Sequence, residues 1–218
     1  MEVCFISQED VSSFRKRRLE KKAELFLFGF NGIGEVNYEK ELKGETTFFE
    51  ELALLSKEKN GVVVSGCITN TRGHKRRSAL IAERGRVCGV SDMLYPMDGE
   101  CSSGAALRVY DTKAGKMGIL IGNDLYFPDL IKNLVVCGSD FILCPFGKVI
   151  DEVPSILLRA YSYCYGVPIL LCGEGYAMLA DGRGGLTFAS PDSPSFARLD
   201  KIREYHLIEL RKRGRFLT

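Results

Sequence analysis

Several residue types and patterns on which familiar functional sites depend are missing from this sequence. It contains no tryptophan and only two histidines, His74 and His206. None of its eight cysteines belongs to a CxxC pair, and their spacing does not match that of a zinc site. No Gly-x-Ser-x-Gly turn is present to carry a serine nucleophile. We therefore expect no metal centre, no Ser-His-Asp site and no cofactor.

Long apolar runs and a charge imbalance are also missing. No apolar run approaches the roughly 18 residues that cross a bilayer, and the N-terminus lacks a basic region followed by a long apolar one. The 30 basic and 28 acidic residues leave a net charge of +2. Six cysteines lie in or beside apolar runs, which favours buried thiols in a reducing compartment. We expect a cytoplasmic protein without a signal peptide, and neither a membrane nor nucleic acid as main partner.

Short apolar runs alternate along the chain with longer segments that have helical spacing. Strands are predicted at Val3–Ile6, Leu25–Phe28, Val62–Cys67, Phe141–Cys144, Val167–Cys172, Leu186–Ala189 and Tyr205–Leu210. Helices are predicted at Val11–Lys22, Thr47–Lys59, Leu130–Val136 and Ile156–Tyr165. No linker or low-complexity tract interrupts the chain, so residues 1–218 are interpreted as one domain.

Two hairpins are predicted in the middle of the chain. Arg84-Gly85 separates Ser78–Glu83 from Arg86–Val90, and a turn over Thr112–Lys116 follows Leu107–Tyr110. Hairpins mixed with strand–helix units indicate a mixed sheet with helices against it.

The most informative stretch is the segment 115–129, which reads GKMGILIGNDLYFPD. An apolar strand runs into a sharp turn at Gly122 and Asn123, and a helix begins at Pro128. Hydrolases of several folds mount a nucleophile on such a turn. Neither Gly122 nor Asn123 has a side chain that attacks a carbonyl carbon.

This stretch resembles the nitrilase superfamily of carbon–nitrogen hydrolases around its catalytic cysteine. In that family an apolar strand is followed by Cys, a variable residue, Asp-Leu, another variable residue, Phe-Pro and an acid. Cys137–Pro145 resembles the family's next strand, and Arg159–Leu170 resembles the helix and strand after it. The resemblance implies a four-layer αββα sandwich with two mixed β-sheets. It also implies a homodimer, to which helices around 128–137 and 152–165 commonly contribute.

The resemblance implies a site of cysteine, glutamate and lysine, and all three family positions carry other residues here. The cysteine position falls on Gly122, the glutamate position on Phe30 and the lysine position on Asp92. The last alignment can slip by one, to Ser91 or Met93, without recovering a lysine. A covalent nucleophile needs a base and a partner for the oxyanion, so no catalytic residue of the family is intact.

Five residues are candidates for what remains of a pocket. Glu100 matches an acid that often supports the lysine in this family, and it is either a buried pocket acid or an exposed loop acid. Asn123 and Asp124 lie at the turn, where the matching family aspartate bonds backbone. Phe30 either fills the pocket or leaves it open. Cys144, like Cys67 and Cys172, is interpreted first as a core residue and only second as a replacement nucleophile.

Two other motifs are interpreted as structural features and not as binding sites. Gly29–Gly34 has the spacing GxxGxG, which is not the dinucleotide-binding spacing, so a loop is predicted there. Basic residues cluster at 15–22, 72–77 and 211–215, where a solvated surface is favoured over an anion-binding patch.

These observations support three functional hypotheses. The leading one is a pseudoenzyme that binds a small molecule or a protein partner, so we lean toward a protein without enzymatic activity. The alternative is an active amidase-type carbon–nitrogen hydrolase with relocated catalytic groups. A weaker alternative is an anion-binding or nucleic-acid-binding module.

Overall fold

The computed structural model describes residues 1–97 and 99–201, and its centre is formed by two β-sheets packed face to face. The strands are β1 Glu2–Ile6, β2 Leu25–Phe28, β3 Glu35–Asn37, β4 Val62–Thr71, β5 His74–Glu83, β6 Arg86–Asp92, β7 Val109–Thr112, β8 Gly115–Ile119, β9 Phe141–Lys148, β10 Ile169–Glu174, β11 Tyr176–Ala180, β12 Leu186–Ser190 and β13 Ser195–Arg198. The helices are α1 Val11–Arg15, α2 Tyr38–Leu42, α3 Phe48–Glu58, α4 Pro128–Val136 and α5 Val153–Tyr165. Two 3-10 helices cover Phe30–Gly32 and Gly122–Tyr126.

Both sheets are mixed. The first has the order β13-β1-β2-β4-β5-β6, with β3 also beside β4, and its β1, β2 and β4 are parallel. The second has the order β12-β11-β10-β9-β8-β7, and its β8, β9 and β10 are parallel. The parallel strands lie at the centre of each sheet, where both faces are covered, and this explains why they are almost purely apolar in sequence.

Side-chain alternation along these strands divides the core into three layers. In β2, Leu25 and Leu27 point between the sheets, while Phe26 and Phe28 point toward α1 and α3. In β10, Leu170 packs between the sheets and Leu171 packs on the opposite side, in the layer that includes residues of α4 and α5. The four-layer αββα sandwich predicted from the sequence is therefore confirmed.

Tight turns connect the strands of the first sheet. Arg84 and Gly85 have φ angles of +54° and +80°, which is the left-handed pair of a two-residue hairpin. Arg72 and Gly73 repeat this geometry between β4 and β5, with φ angles of +52° and +85°. The basic cluster at 72–77 thus begins at the tip of a hairpin.

Some elements differ from the sequence prediction. The helix predicted over Val11–Lys22 ends at Arg15, because only Val11 and Phe14 offer buried apolar side chains before four consecutive basic residues. The short elements β3, α2, β11 and β13 were not predicted. The strand predicted at Tyr205–Leu210 and the basic cluster at 211–215 lie outside the described residues. None of the described helices is long and apolar enough to span a membrane.

Candidate functional site

The turn predicted at Gly122 is present at the end of the apolar strand. Leu120 continues the ladder of β8, since its N–H donates to the Leu143 carbonyl at 2.9 Å. The chain then enters the 3-10 helix at Gly122, and α4 begins at Pro128. Gly122 is buried with a φ of +52°, a conformation that glycine adopts without steric cost.

Two apolar side chains face the position where a side chain at Gly122 would project. A Cβ atom built there lies 3.5 Å from Met93 Sδ and 3.6 Å from Phe30 Cε2. Phe30 begins the 3-10 helix that follows β2, and Met93 comes directly after β6. Three segments therefore meet at one edge of the sandwich, and they supply a glycine, a phenylalanine and a methionine.

The alternation of β6 decides which of two neighbouring residues faces this position. Ser91 and Met93 lie on the side between the sheets, where Ser91 Oγ is 3.0 Å from Tyr110 Oη and Met93 belongs to the central core. Asp92 points the other way and accepts a hydrogen bond from Ser78 Oγ at 2.7 Å. Sequence reasoning assigned the lysine position to Asp92, but Met93 is the residue beside Gly122.

Asp124 stabilises the turn through hydrogen bonds to a neighbouring segment. Its carboxylate accepts hydrogen bonds from the backbone N–H of Leu94, at 3.0 Å, and of Tyr95, at 2.9 Å. Burial raises the pKa of Asp124 to about 6, although these backbone hydrogen bonds act in the opposite direction. Asp124 therefore joins the turn to the segment that follows β6, which positions Met93.

Two other predicted pocket residues lie outside this contact. Asn123 is half-buried next to Gly122. Glu100 is exposed, so it is a loop acid at the surface and does not line a buried pocket. A pocket acid at Glu100 would have to be buried against a partner. Whether a loop residue is buried depends on the tertiary structure and could not be predicted from the sequence.

The buried thiols have the properties of core residues. Burial raises the pKa of Cys144 strongly, an effect that the backbone N–H of Gly122 opposes by donating to its sulfur. Cys144 packs on the helix side of the second sheet, away from Met93. Burial likewise raises the pKa of Cys67 and Cys172, and that of Cys4 to about 12. A thiol that resists ionisation is a poor nucleophile.

Sequence analysis placed Arg77 at the end of the basic cluster 72–77, for which a solvated surface was favoured, but its side chain is half-buried beside Phe30. Its guanidinium carbon is 5.9 Å from the centre of the Phe30 ring. Arg77 precedes Ser78 in β5, so the period of two along that strand places the two side chains on opposite faces. This alternation was the signal in the sequence that could have placed Arg77 near Phe30, but using it required knowing which face of β5 points between the sheets.

Basic side chains of the predicted surface clusters are partly paired with acids. Arg15 contacts Glu58 at 2.8 Å and Lys75 contacts Glu35 at 2.7 Å. Arg17 and Glu9 form a further pair. Within residues 1–97 and 99–201, no group of three or more His, Cys, Asp or Glu side chains is arranged to hold a metal ion.

Comparisons with known proteins point to one superfamily. No family model matches the chain. A stretch of 115 residues, 46% of this chain, is 32% identical to the deaminated glutathione amidase of Bos taurus and covers 35% of that protein. The enzyme of the same name from Rattus norvegicus is 31% identical over 105 residues and is covered to 32%. The matched stretch thus spans about a third of the length of these curated relatives.

Solved structures resemble the whole described fold. A cysteine-to-alanine variant of an amidase from Nesterenkonia AN1, of the nitrilase superfamily, superposes with a TM-score of 0.78 at 15% identity, with 100% of this chain and 97% of the other covered. Saccharomyces cerevisiae Nit3, a member of branch 10 of that superfamily, gives 0.74 at 18% identity, with 100% and 95% covered. The Nesterenkonia amidase has an active-site cysteine to which acrylamide adds.

The strand order, the turn at Gly122 and these comparisons agree with one another. The chain has the nitrilase fold, and its resemblance to the nitrilase superfamily of carbon–nitrogen hydrolases, predicted from the sequence, is confirmed.

Proposed function

We propose that this protein is a nitrilase-fold pseudoenzyme, which binds a small molecule or a protein partner and does not hydrolyse carbon–nitrogen bonds. The observation that carries the proposal is the contact of Gly122 with Met93 and Phe30. Gly122 has no side chain, and the side chains of Met93 and Phe30 cannot attack a carbonyl carbon, transfer a proton or stabilise an oxyanion as a cation.

The chemistry of amide hydrolysis makes this substitution decisive. A covalent route needs a nucleophile that is activated by an adjacent base, and a donor for the charge that develops on oxygen. Phe30 and Met93 add apolar surface at the place where charge would have to form, and an ion in apolar surroundings is costly without a partner. Binding alone does not replace the missing covalent step.

An active amidase with relocated groups is the competing function, and the similarity to curated amidases favours it. A relocated nucleophile would need a thiol or hydroxyl near a base and open to substrate. The buried thiols nearest the turn argue against this role, because burial raises the pKa of Cys144 and Cys172.

Ammonia release tests the proposal directly. Purified protein is incubated with acrylamide and acetamide, whose hydrolysis releases ammonia, and with deaminated glutathione, whose hydrolysis releases an amine, and both products are measured with and without prior capping of thiols. We expect no release above buffer for any amide. Release that stops when one cysteine is capped, or when Cys144→Ser is introduced, would establish the competing function.

A restored site sharpens the same test. The variant Phe30→Glu/Met93→Lys/Gly122→Cys places a carboxylate base, a cation for the oxyanion and a thiol nucleophile at the three neighbouring positions. Release of ammonia by this variant, with none from the parent, would show that the missing side chains are what keeps the parent inactive. The matched control is Phe30→Glu/Met93→Lys, which lacks the nucleophile.

We also propose that two copies of the chain associate through α5. Val153, Ile156 and Tyr163 are 41%, 58% and 49% exposed and follow one another at helical spacing around the exposed Ala160. An exposed apolar stripe of this kind is typical of an interface. Sedimentation of Ala160→Arg should give a monomer where the parent gives a dimer, while Glu50→Arg on α3 should leave the dimer intact. A monomeric parent at micromolar concentration would contradict this assembly.

A further inference from the structure

A cavity of about 660 Å³ opens at the end of the second sheet, and Gly122 is not among its lining residues. It lies where β9 and β10 end and α5 begins, and Lys148, Glu174 and Ile156 are among its lining residues. Ligands of open α/β sheets bind beyond the carboxyl ends of parallel strands. Neither Phe30, Met93 nor Gly122 lines this cavity, so it is separate from the position of the missing nucleophile.

Two side chains of opposite charge line this cavity. Lys148 and Glu174 are register partners on the parallel strands β9 and β10. Neither forms an ion pair within 4.0 Å with any residue of the described ranges. Adjacent parallel strands are about 4.8 Å apart, so the two side chains start from neighbouring backbone positions and line the same cavity, while their charged ends are more than 4.0 Å apart.

The other charged side chains around the cavity already have backbone partners. Arg159 Nε donates to the Gly184 carbonyl at 3.1 Å. Asp151 Oδ1 accepts from the Val153 N–H at 3.0 Å. Glu152 adds a second exposed acid near the start of α5. Because these backbone partners are uncharged, the cavity is lined by two cations, Lys148 and Arg159, and three acids, Asp151, Glu152 and Glu174.

An apolar wall completes the cavity. Met178 is buried, Tyr176 is half-buried and Ile156 is 58% exposed, and all three line it. The volume lies within the range of about 300–1,000 Å³ that small-molecule sites occupy. Apolar walls with a few charged groups are the usual composition of such sites.

We propose that this cavity binds a small zwitterion with an apolar side chain, such as an α-amino acid or the end of a short peptide. The carboxylate of the ligand pairs with Lys148, its ammonium pairs with Glu174 and Glu152, and its side chain packs on Ile156 and Met178. An amine without a carboxylate leaves Lys148 unused, and a carboxylate without an amine leaves Glu174 unused. Charge-assisted hydrogen bonds are the stronger ones, so both ends of the ligand contribute.

This inference rests on the proposed binding role and names the class of ligand. A dimer formed over α5 would border the cavity at Ile156, but the two charges that recognise the ligand come from strand ends. Titrations are therefore run at several protein concentrations, which separates ligand binding from association.

Isothermal titration calorimetry with L-leucine tests the proposal, with 3-methylbutylamine and 4-methylpentanoate as ligands that lack one charge. Leucine should bind, and each single-charge analogue should bind at least roughly tenfold more weakly. Lys148→Met and Glu174→Gln should each weaken leucine binding by a similar factor, and Lys148→Arg should restore it. Both residues are exposed, so circular dichroism should show an unchanged fold. Lys22→Met, at an exposed lysine of the basic cluster 15–22 that does not line this cavity, is the control.

Each other outcome overturns the proposal. Absence of leucine binding at millimolar concentration, equal affinity for either analogue, or full affinity in both charge variants would each do so. Ammonia release is measured in parallel on the same samples. Hydrolysis together with leucine binding at Lys148 would overturn the pseudoenzyme and leave this site standing, so the two failures are distinguishable.

Discussion

The two ends of one short turn differ sharply in this protein. At Asp124 the turn is fully supported, because two backbone N–H groups of the neighbouring segment donate to a buried carboxylate. At Gly122, two residues earlier, the turn presents no side chain and faces Met93 and Phe30. The support of the turn is therefore intact, while the position at its start carries no side chain and faces two apolar residues.

This difference teaches that the geometry of a site and its reagents are separable. Asp124 stabilises the approach of β6 to the turn whatever residue stands at Gly122, since its partners are backbone groups. A likeness of folds reflects the backbone, and on that basis the chain resembles an amidase, with a TM-score of 0.78, and Nit3, with a TM-score of 0.74. Chemistry depends on side chains, so a likeness of folds does not establish a shared activity.

The largest effect is expected for thiol labelling, which tests whether any cysteine near the turn is reactive. Cys137 is exposed and Cys144 is buried. Cys144 should react with a disulfide reagent on the order of a thousandfold more slowly, because labelling needs local unfolding of a core strand. Mass spectrometry of the native protein over time gives both rates. If Cys144 were labelled as fast as Cys137, a reactive thiol would lie near the turn, and the turn could not be described as supported but without a nucleophile.

Removal of the supporting carboxylate should have the next largest effect. Asp124→Ala leaves the N–H groups of Leu94 and Tyr95 without their acceptor, at about 1–3 kcal/mol for each buried group. Urea denaturation should show a loss of about 2–5 kcal/mol in the free energy of unfolding. Asn123→Ala, at the half-buried neighbour, should cost less than about 1 kcal/mol. Equal losses in the two variants would show that Asp124 is no special support.

The pH dependence of stability should carry the signature of Asp124. Its folded pKa of about 6 lies above the usual value of 3.8, so the native state keeps its proton longer than the unfolded state as the pH rises. The free energy of unfolding should then fall between about pH 4 and pH 6, by about 3 kcal/mol from this group. The difference between parent and Asp124→Asn denaturation curves isolates the effect. A difference that is constant over this window would refute the raised pKa.

The smallest effect is expected from adding a side chain at the turn. Gly122→Ala should cost about 1 kcal/mol, because its φ of +52° disfavours any residue with a Cβ. The nearest atoms, at 3.5 and 3.6 Å, are at ordinary contact distance and add little. Gly34→Ala is the matched control, since it has a φ of +78° and open space around the added atom. A loss several times larger at Gly122 would mean that Met93 and Phe30 close the position completely.

The elements that the sequence predicted best are those with local signals. The bounds of β2 agree with the apolar run at Leu25–Phe28, and α5 ends beside Gly166, which has a φ of +67° at its C-cap. The strands β3 and β13 lack such a signal, because β3 is short and polar and β13 is fixed by pairing with β1. The apolar run of β11 at Tyr176–Ala180 did carry one and was missed. The length of α1 was also wrong, since charged residues with helical propensity need an apolar face to dock.

The candidate site shows the same division between features with a local sequence signal and features that depend on tertiary contacts. The absence of a nucleophile at Gly122 was readable from the motif around it, and so was the backbone role of Asp124. The identity of the residue facing Gly122 was not, because Asp92 and Met93 are adjacent and only the face of β6 decides between them. Glu100 was equally undecided, since burial is not a local property of a loop.

The sequence by itself determined most of the strands and helices, the turn after β8 and the glycine at the first position of that turn. These follow from apolar periodicity and turn chemistry, which act over a few neighbouring residues. Only the tertiary structure decided that Met93 and Phe30 meet at Gly122. It also decided that Lys148 and Glu174 line one cavity at the ends of β9 and β10. Such contacts join segments far apart in the chain, and sheet register and side-chain direction set them.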